Sequence, residues 1–160
     1  MRLAILGLAV LSLAIPAGAA KDKGIVVPLK SSYGDDVGSA TLMPAKDGKL
    51  MVTVSLKNLQ DGVHGIHIHE NPTCDAPDFK SAGAHFDPVS HQHTNVKVEA
   101  DGTATVKYEV AGLSMGTGQP NDVLVHGGSV VLHQAPDDMK SDPTGNAGAR
   151  IACGVLPAKM

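Results

Sequence analysis

The chain of 160 residues holds eight histidines, and three of them, His64, His67 and His69, fall within six positions of the stretch HGIHIHENPTC (64–74). Burying an imidazole costs free energy unless its nitrogens find partners, so this concentration asks what the partner is. In an extended segment, residues i and i+2 point to one face with Cα atoms about 6.5 Å apart, so His67 and His69 can reach one ion from the same side. His64 lies an odd number of positions from both and, if the strand extends back to it, faces the other way as a hydrogen-bonding structural residue. By itself His-x-His is equally explained by two half-exposed strand histidines. The rest of the chain shifts that balance: His85 stands in SAGAHFDP after Gly83, His91 and His93 follow it, and His133 closes the apolar run SVVLHQ. His67, His69, His85 and His133 thus come from strand ends and adjoining loops at one edge of a sheet. Imidazole-only donor sets suit copper and zinc, and a copper that cycles between two oxidation states favours nitrogen ligands. His126 fits no such pattern and reads as a surface or structural histidine.

The elements that must position these residues alternate with a period of two. GIVVPLK (24–30), LMVTVSLKNL (50–59), GIHIH (65–69), TNVKVEA (94–100), TATVKYEVAGL (103–113) and GSVVLHQ (128–134) are rich in Val, Ile, Leu and Thr, as half-buried strands are. Asp-Gly pairs at 47–48 and 101–102 predict hairpins. No helical period exceeds two turns. Short strands with tight turns predict an all-β antiparallel sandwich or barrel, and with no Trp and two Phe its core must be aliphatic. Two stretches, 70–93 and 134–154, do not alternate; loops of that length more often carry function than merely connect. Each contains one of the two cysteines.

Residues 1–20, MRLAILGLAVLSLAIPAGAA, combine Arg2, a short apolar run and small residues before Lys21. They read as a cleavable signal peptide, the apolar run being too short for a comfortable membrane span; an uncleaved anchor is the alternative. Residues 21–160 then form one domain, secreted or periplasmic, with no stable membrane insertion expected. The formal net charge of −3, or −4 once Arg2 is removed, lacks the basic excess that binding nucleic acid needs. In an exported chain Cys74 and Cys153 are most simply one disulfide, with two buried free thiols as the alternative.

HGIHIHE, SAGAHFDP, VVLHQAPDD and TGNAGARIACGV, in this order, resemble the signature segments of the copper,zinc superoxide dismutases, and the likeness spans nearly all of residues 24–157. The resemblance implies a flattened eight-stranded antiparallel Greek-key barrel with two long functional loops. It implies copper ligands at His67, His69, His85 and His133, with His85 the imidazolate that bridges to zinc, and a zinc ligand at His93. It further implies a carboxylate at Asp137 linking copper and zinc histidines from behind, a substrate-guiding guanidinium at Arg150, a channel wall at Thr144, and a disulfide between Cys74 and Cys153. The activity implied is dismutation of superoxide to dioxygen and hydrogen peroxide, with His85 carrying a proton and Arg150 supplying a local positive field.

The sequence departs from the family pattern after His93, where TNVKVEADG is already strand and turn, so two further zinc ligands are missing. A structural zinc site normally takes four protein ligands; His91 or Asp87 are the local candidates to complete one, and a copper-only protein is the favoured expectation. The competing reading, from another class, is a secreted copper buffer or delivery module on the same barrel with little turnover, since fold alone does not establish function. Arg150 within TGNAGAR favours the enzyme, because a buffer has no need of an anion channel. A homodimer is compatible with the sequence, which does not specify one.

Overall fold

Alternating burial builds the sheet. Val27 and Leu29 of β1 (Ile25–Ser31), Leu50, Val52, Val54 and Leu56 of β3 (Lys49–Leu56), and Val96 and Val98 of β5 (Asn95–Val98) all turn inward while their neighbours face out. The remaining strands are β2 (Asp36–Pro44), β4 (Gly62–His69), β6 (Ala104–Ser114), β7 (Gly128–His133) and β8 (Arg150–Leu156), with one short helix, α1 (Val123–His126). The computed structural model describes residues 24–86 and 94–159. The strands form a single eight-stranded sheet in the order β5-β4-β7-β8-β1-β2-β3-β6, every neighbouring pair antiparallel.

The two edge strands, β5 and β6, are consecutive in the chain and meet at the Asp101-Gly102 turn, where the Glu99 amide donates to the Thr103 carbonyl at 2.8 Å. The sheet therefore curls, and its inner face closes on one core that includes Val27, Leu42, Val54, Ile68, Leu132 and Leu156. Besides the β5–β6 turn, two connections, 57–61 and 115–127, carry the chain between strands that are not sheet neighbours, which is the Greek-key element of the topology. Phe79, Ala82, Val131 and Cys153 form a second, smaller apolar cluster with Cys74. Among the described residues no helix is long and apolar enough to cross a membrane. The expected signal segment, 1–20, lies outside them.

Three differences from the sequence reading have physical causes. β2 escapes the alternation rule because a bulge opposite Leu29 and Lys30 adds Val37 between the paired residues Gly38 and Asp36, so its inward residues Val37 and Ala40 are three apart. The sequence predicts loop as far as residue 154, but the small residues Ala152 and Gly154 hide a strand, β8, that starts at Arg150. Cys153 therefore sits on the scaffold, and the Cys74–Cys153 disulfide, with Cα atoms 5.7 Å apart, ties the first long loop to a strand. At Asp101-Gly102 the turn forms but its strands diverge, β5 pairing with β4 and β6 with β3, whereas Asp47-Gly48 does close a true hairpin, with φ of 79° and 73°.

The second crossover is closed by Asp122, which is 1% exposed. Its carboxylate accepts the amides of Leu124 and Gly118, both at 2.8 Å, capping α1 and holding the loop before it. Burial alone pushes this carboxyl up, but the backbone donors of Leu124, Gly118, Gly116 and Thr117 outweigh it and hold the group below 3.8. A depressed folded value means stability that is present above the unfolded pKa and lost as pH falls through the folded one. Asp122→Ala is therefore expected to cost about 2–3 kcal/mol at neutral pH, and to shrink the gap from wild type below about pH 4, as read by urea midpoints.

Candidate metal centre

The inward residues of β4, Ile66 and Ile68, belong to the core, so His67 and His69 point out through the opposite face. On β7, Val130 and Leu132 are inward and His133 stands at the strand's end. The register of β7 against β8 shifts at this point: Leu132 pairs with Ala152, but His133 pairs with Arg150, leaving Ile151 as the extra residue. Bulges re-aim side chains, and this one sets Arg150 directly across from His133.

The first loop runs back along the end of β4. The Glu70 amide donates to the Ala84 carbonyl and the Asn71 amide to the Ala82 carbonyl, each at 3.0 Å, and His85 forms an isolated bridge to His69. The second loop lies across β4 at Gly65, whose amide donates to the Ala135 carbonyl at 2.9 Å; a Cβ at Gly65 would press on the Cβ of Ala147 at 2.9 Å, so the close approach requires glycine. Asp138 folds this loop by accepting from the amides of Lys140 and Ser141, from the Ser141 hydroxyl and from the Asn146 carboxamide, which holds its carboxyl well below the usual range.

These elements bring His67, His69, His85 and His133 together, one donor nitrogen of each lying within 4.8 Å of the others. Ring centroids of His67 and His85 are 4.2 Å apart, and those of His67 and His133 4.8 Å. Three of the rings have the outer nitrogen held by a group that can only accept. His67 Nε2 donates to Asp137 Oδ2 at 2.8 Å, His69 Nδ1 to the Gly83 carbonyl at 3.0 Å, and His133 Nδ1 to the Gly148 carbonyl at 3.3 Å. Each such ring, when neutral, presents its other nitrogen as a lone pair.

The lone pairs converge. His69 Nε2 and His133 Nε2 are 3.4 Å apart, and the buried Nδ1 of His67 has no hydrogen-bond partner. Two acceptor nitrogens facing each other repel unless something positive lies between them; nitrogens each about 2 Å from one ion have a separation of this order. Burial, with His85 and His133 adding repulsion, pushes the His67 imidazolium down to about 3 despite Asp137. Burial pushes His69 down to about 2, and His133 is lowered mainly by burial as well. His67, His69 and His133 are thus neutral at pH 7, and the set of four imidazoles fits a nitrogen-favouring metal such as copper.

A cavity of about 400 Å³ opens onto the group, lined by His69, His85, His133, Thr144, Asn146 and Arg150. Arg150 is half-buried; Nη1 donates to the Phe79 carbonyl at 2.7 Å and Nη2 to the Gly83 carbonyl at 2.6 Å. A guanidinium has five N–H groups, so these two bonds orient the fork and leave others for an anion. Gly83 therefore serves both His69 and Arg150. His64 is buried on the opposite parity, with Nδ1 2.9 Å from the His133 carbonyl and Nε2 3.3 Å from that of Gln60. His126 is exposed at the end of α1, and His91, His93 and Asp87 lie outside the described residues.

Sequence reading passed over two residues of this site. Asp138 stands in a sequence Asp-x-x-Ser, a turn signal that matches the bonds it makes to Lys140 and Ser141. Asn95 clamps Asp137 from 42 positions away and carries no local signal.

A family model described as copper/zinc superoxide dismutase matches residues 37–156. The chain belongs to the copper/zinc superoxide dismutase family. Among its relatives, the Cu-Zn superoxide dismutase of Caulobacter vibrioides is 38% identical over 144 residues, 80% of this chain and 82% of that one. A superoxide dismutase-like protein from Bacillus subtilis superposes with a TM-score of 0.75 at 32% identity, covering 82% of this chain and 97% of the other. The Brucella abortus Cu/Zn enzyme superposes at 0.63 with 28% identity, covering 83% and 99%.

The depressed histidines make the metal-free protein acid-sensitive. Below about pH 6.5 the unfolded chain takes up protons that the folded cluster refuses, so the unfolded state binds more of them and stability falls with pH; above it both states are neutral and the contribution vanishes. The urea midpoint of the metal-free protein is expected to drop between about pH 6.5 and pH 4, with a shallower slope in His69→Gln.

Proposed function

We propose that this chain is a copper-dependent superoxide dismutase acting in an exported compartment, with His67, His69, His85 and His133 as the copper ligands. The observation that carries it is the convergence of ring nitrogens whose tautomers are set by Asp137, Gly83 and Gly148, beneath a cavity that also holds Arg150. Bound copper supplies the one-electron couple by which one superoxide is oxidised to dioxygen and a second is reduced to peroxide. Arg150 draws the small anion into the cavity, a local positive field in a chain of net negative charge. Thr144 and Asn146 also line the cavity and limit what enters. His85, half-buried and lining the same cavity, carries at a ring nitrogen one of the two protons that peroxide must gain; solvent supplies the other.

Zinc is not part of the minimal reading. His85 and His93 are two ligands of the usual site, His91 and Asp87 are weak candidates to complete it, and the family's remaining two are absent from the sequence. Export is supported by the composition of residues 1–20 and by the Cys74–Cys153 disulfide, which suits an oxidising compartment. Closing a loop of 79 residues removes denatured-state entropy worth roughly 4.5 kcal/mol in the chain-entropy model.

The decisive experiment is superoxide turnover by the mature protein loaded with copper alone. Strong turnover supports a copper-only enzyme; bound copper without turnover, restored by zinc, marks a zinc-dependent one; bound copper with no turnover under either condition leaves the copper-binding module. His133→Ala is expected to weaken copper binding by tenfold or more, whereas Arg150→Ala should keep copper and lower kcat/KM about tenfold or more, with a flatter dependence on ionic strength. Unchanged turnover in the arginine variant would count against the enzyme. Mass spectrometry of exported protein is expected to find an N-terminus at Ala20 or Lys21; an intact Met1 would contradict export by cleavage.

A further inference from the structure

Asp137 can fix the His67 tautomer only if its carboxylate is itself held, yet it stands in the long second loop, where a free residue would have many positions available. Its peptide is gripped on both sides by one side chain. Asn95 Oδ1 accepts the Asp137 amide at 2.8 Å, and Asn95 Nδ2 donates to the Asp137 carbonyl at 2.9 Å. Two bonds to one residue restrain its rotation as well as its distance. From that fixed peptide Asp137 Oδ2 reaches His67 Nε2 at 2.8 Å, while Oδ1 takes the Met139 amide at 2.7 Å.

Asn95 is not on the loop. It is the first residue of β5 and pairs with Gly65 on β4, two positions before His67 and on the same face of the sheet. Both ends of the chain Asn95–Asp137–His67 therefore rest on paired neighbouring strands, and the loop residue between them is pinned to that frame. Taking the copper reading above as its basis, we propose that Asn95 is a positioning residue for the copper site: it transmits the rigidity of the β4–β5 pair through Asp137 to His67, and aims the His67 Nδ1 lone pair by protein groups alone. Supporting groups behind a metal ligand typically matter by about 10–100-fold in affinity. Asn95 supports such a group rather than the ligand itself, so an effect near the lower end is expected.

The test loads copper alone into wild type, Asn95→Ala, Asn95→Asp, Asp137→Ala and the Asn95→Ala/Asp137→Ala pair. It reads the Cu(II) dissociation constant by chelator competition, together with the Cu(II) electron paramagnetic resonance spectrum. Asn95→Ala is expected to weaken Cu(II) about tenfold and to alter the spectrum. Asn95→Asp keeps the acceptor for the Asp137 amide but loses the donor, and should fall between; it also serves if the alanine variant does not fold. With Asp137 already replaced, Asn95→Ala should add nothing. Asp122→Ala, whose side chain bonds only within the 114–125 region, controls for lost stability and should leave the spectrum unchanged.

A wild-type affinity and spectrum in both Asn95 variants, or an effect that persists undiminished without Asp137, overturns the assignment. Neither readout uses superoxide. Wild-type protein that binds Cu(II) tightly but does not turn over would sink the dismutase reading while leaving the Asn95 result legible, and failure of wild type to bind Cu(II) would sink both.

Discussion

An uncharged imidazole has one N–H and one lone pair, and most of this molecule's architecture around the site follows from deciding which nitrogen carries which. A histidine free to choose would present a proton to its neighbours as often as a lone pair. Here the choice is removed by oxygen atoms that can only accept: the Asp137 carboxylate behind His67, and the Gly83 and Gly148 carbonyls behind His69 and His133. All three acceptors lie on the two long loops, so those loops act as parts of the site even where they touch no substrate. The barrel supplies the common frame from which histidines and loops are measured.

Burial gives that arrangement its cost and its direction. Rings packed this closely and this far from water resist protonation, as the lowered values for His67 and His69 express. A cluster of neutral donors with their lone pairs turned together is poorly satisfied by itself, and the 3.4 Å between His69 and His133 is the plainest sign of it. The fold thus holds a configuration that a bound cation would relieve, which is how metal affinity becomes coupled to folding.

Much of this is legible in the sequence. Period-two patterns marked β1, β3, β4, β5, β6 and β7, and the i, i+2 spacing of His67 and His69 carried metal geometry directly. Two strands were not legible for opposite reasons. In β2 a bulge broke the period, and in β8 small residues left no contrast between its faces. For the site, the clustered histidines are of a type that announces itself, and the family likeness orders them. Asn95 did not, because an asparagine at a strand start has many uses and its partner is 42 positions away. The carbonyls of Gly83 and Gly148 have no side-chain signature at all.

The Gly83 carbonyl accepts from His69 at 3.0 Å and from Arg150 at 2.6 Å, which joins two functions in one peptide plane. Its backbone at φ of 77°, with the side chains of Asn71 and Glu70 occupying the space a Cβ would need, leaves little freedom to substitute the residue. A tilt of that plane would change the hydrogen bond behind His69 and the aim of the Arg150 guanidinium together. Anyone redesigning the cavity for a larger or differently charged guest inherits this linkage: moving Arg150 also disturbs the support behind His69, unless a second acceptor is built so that the two can be adjusted separately.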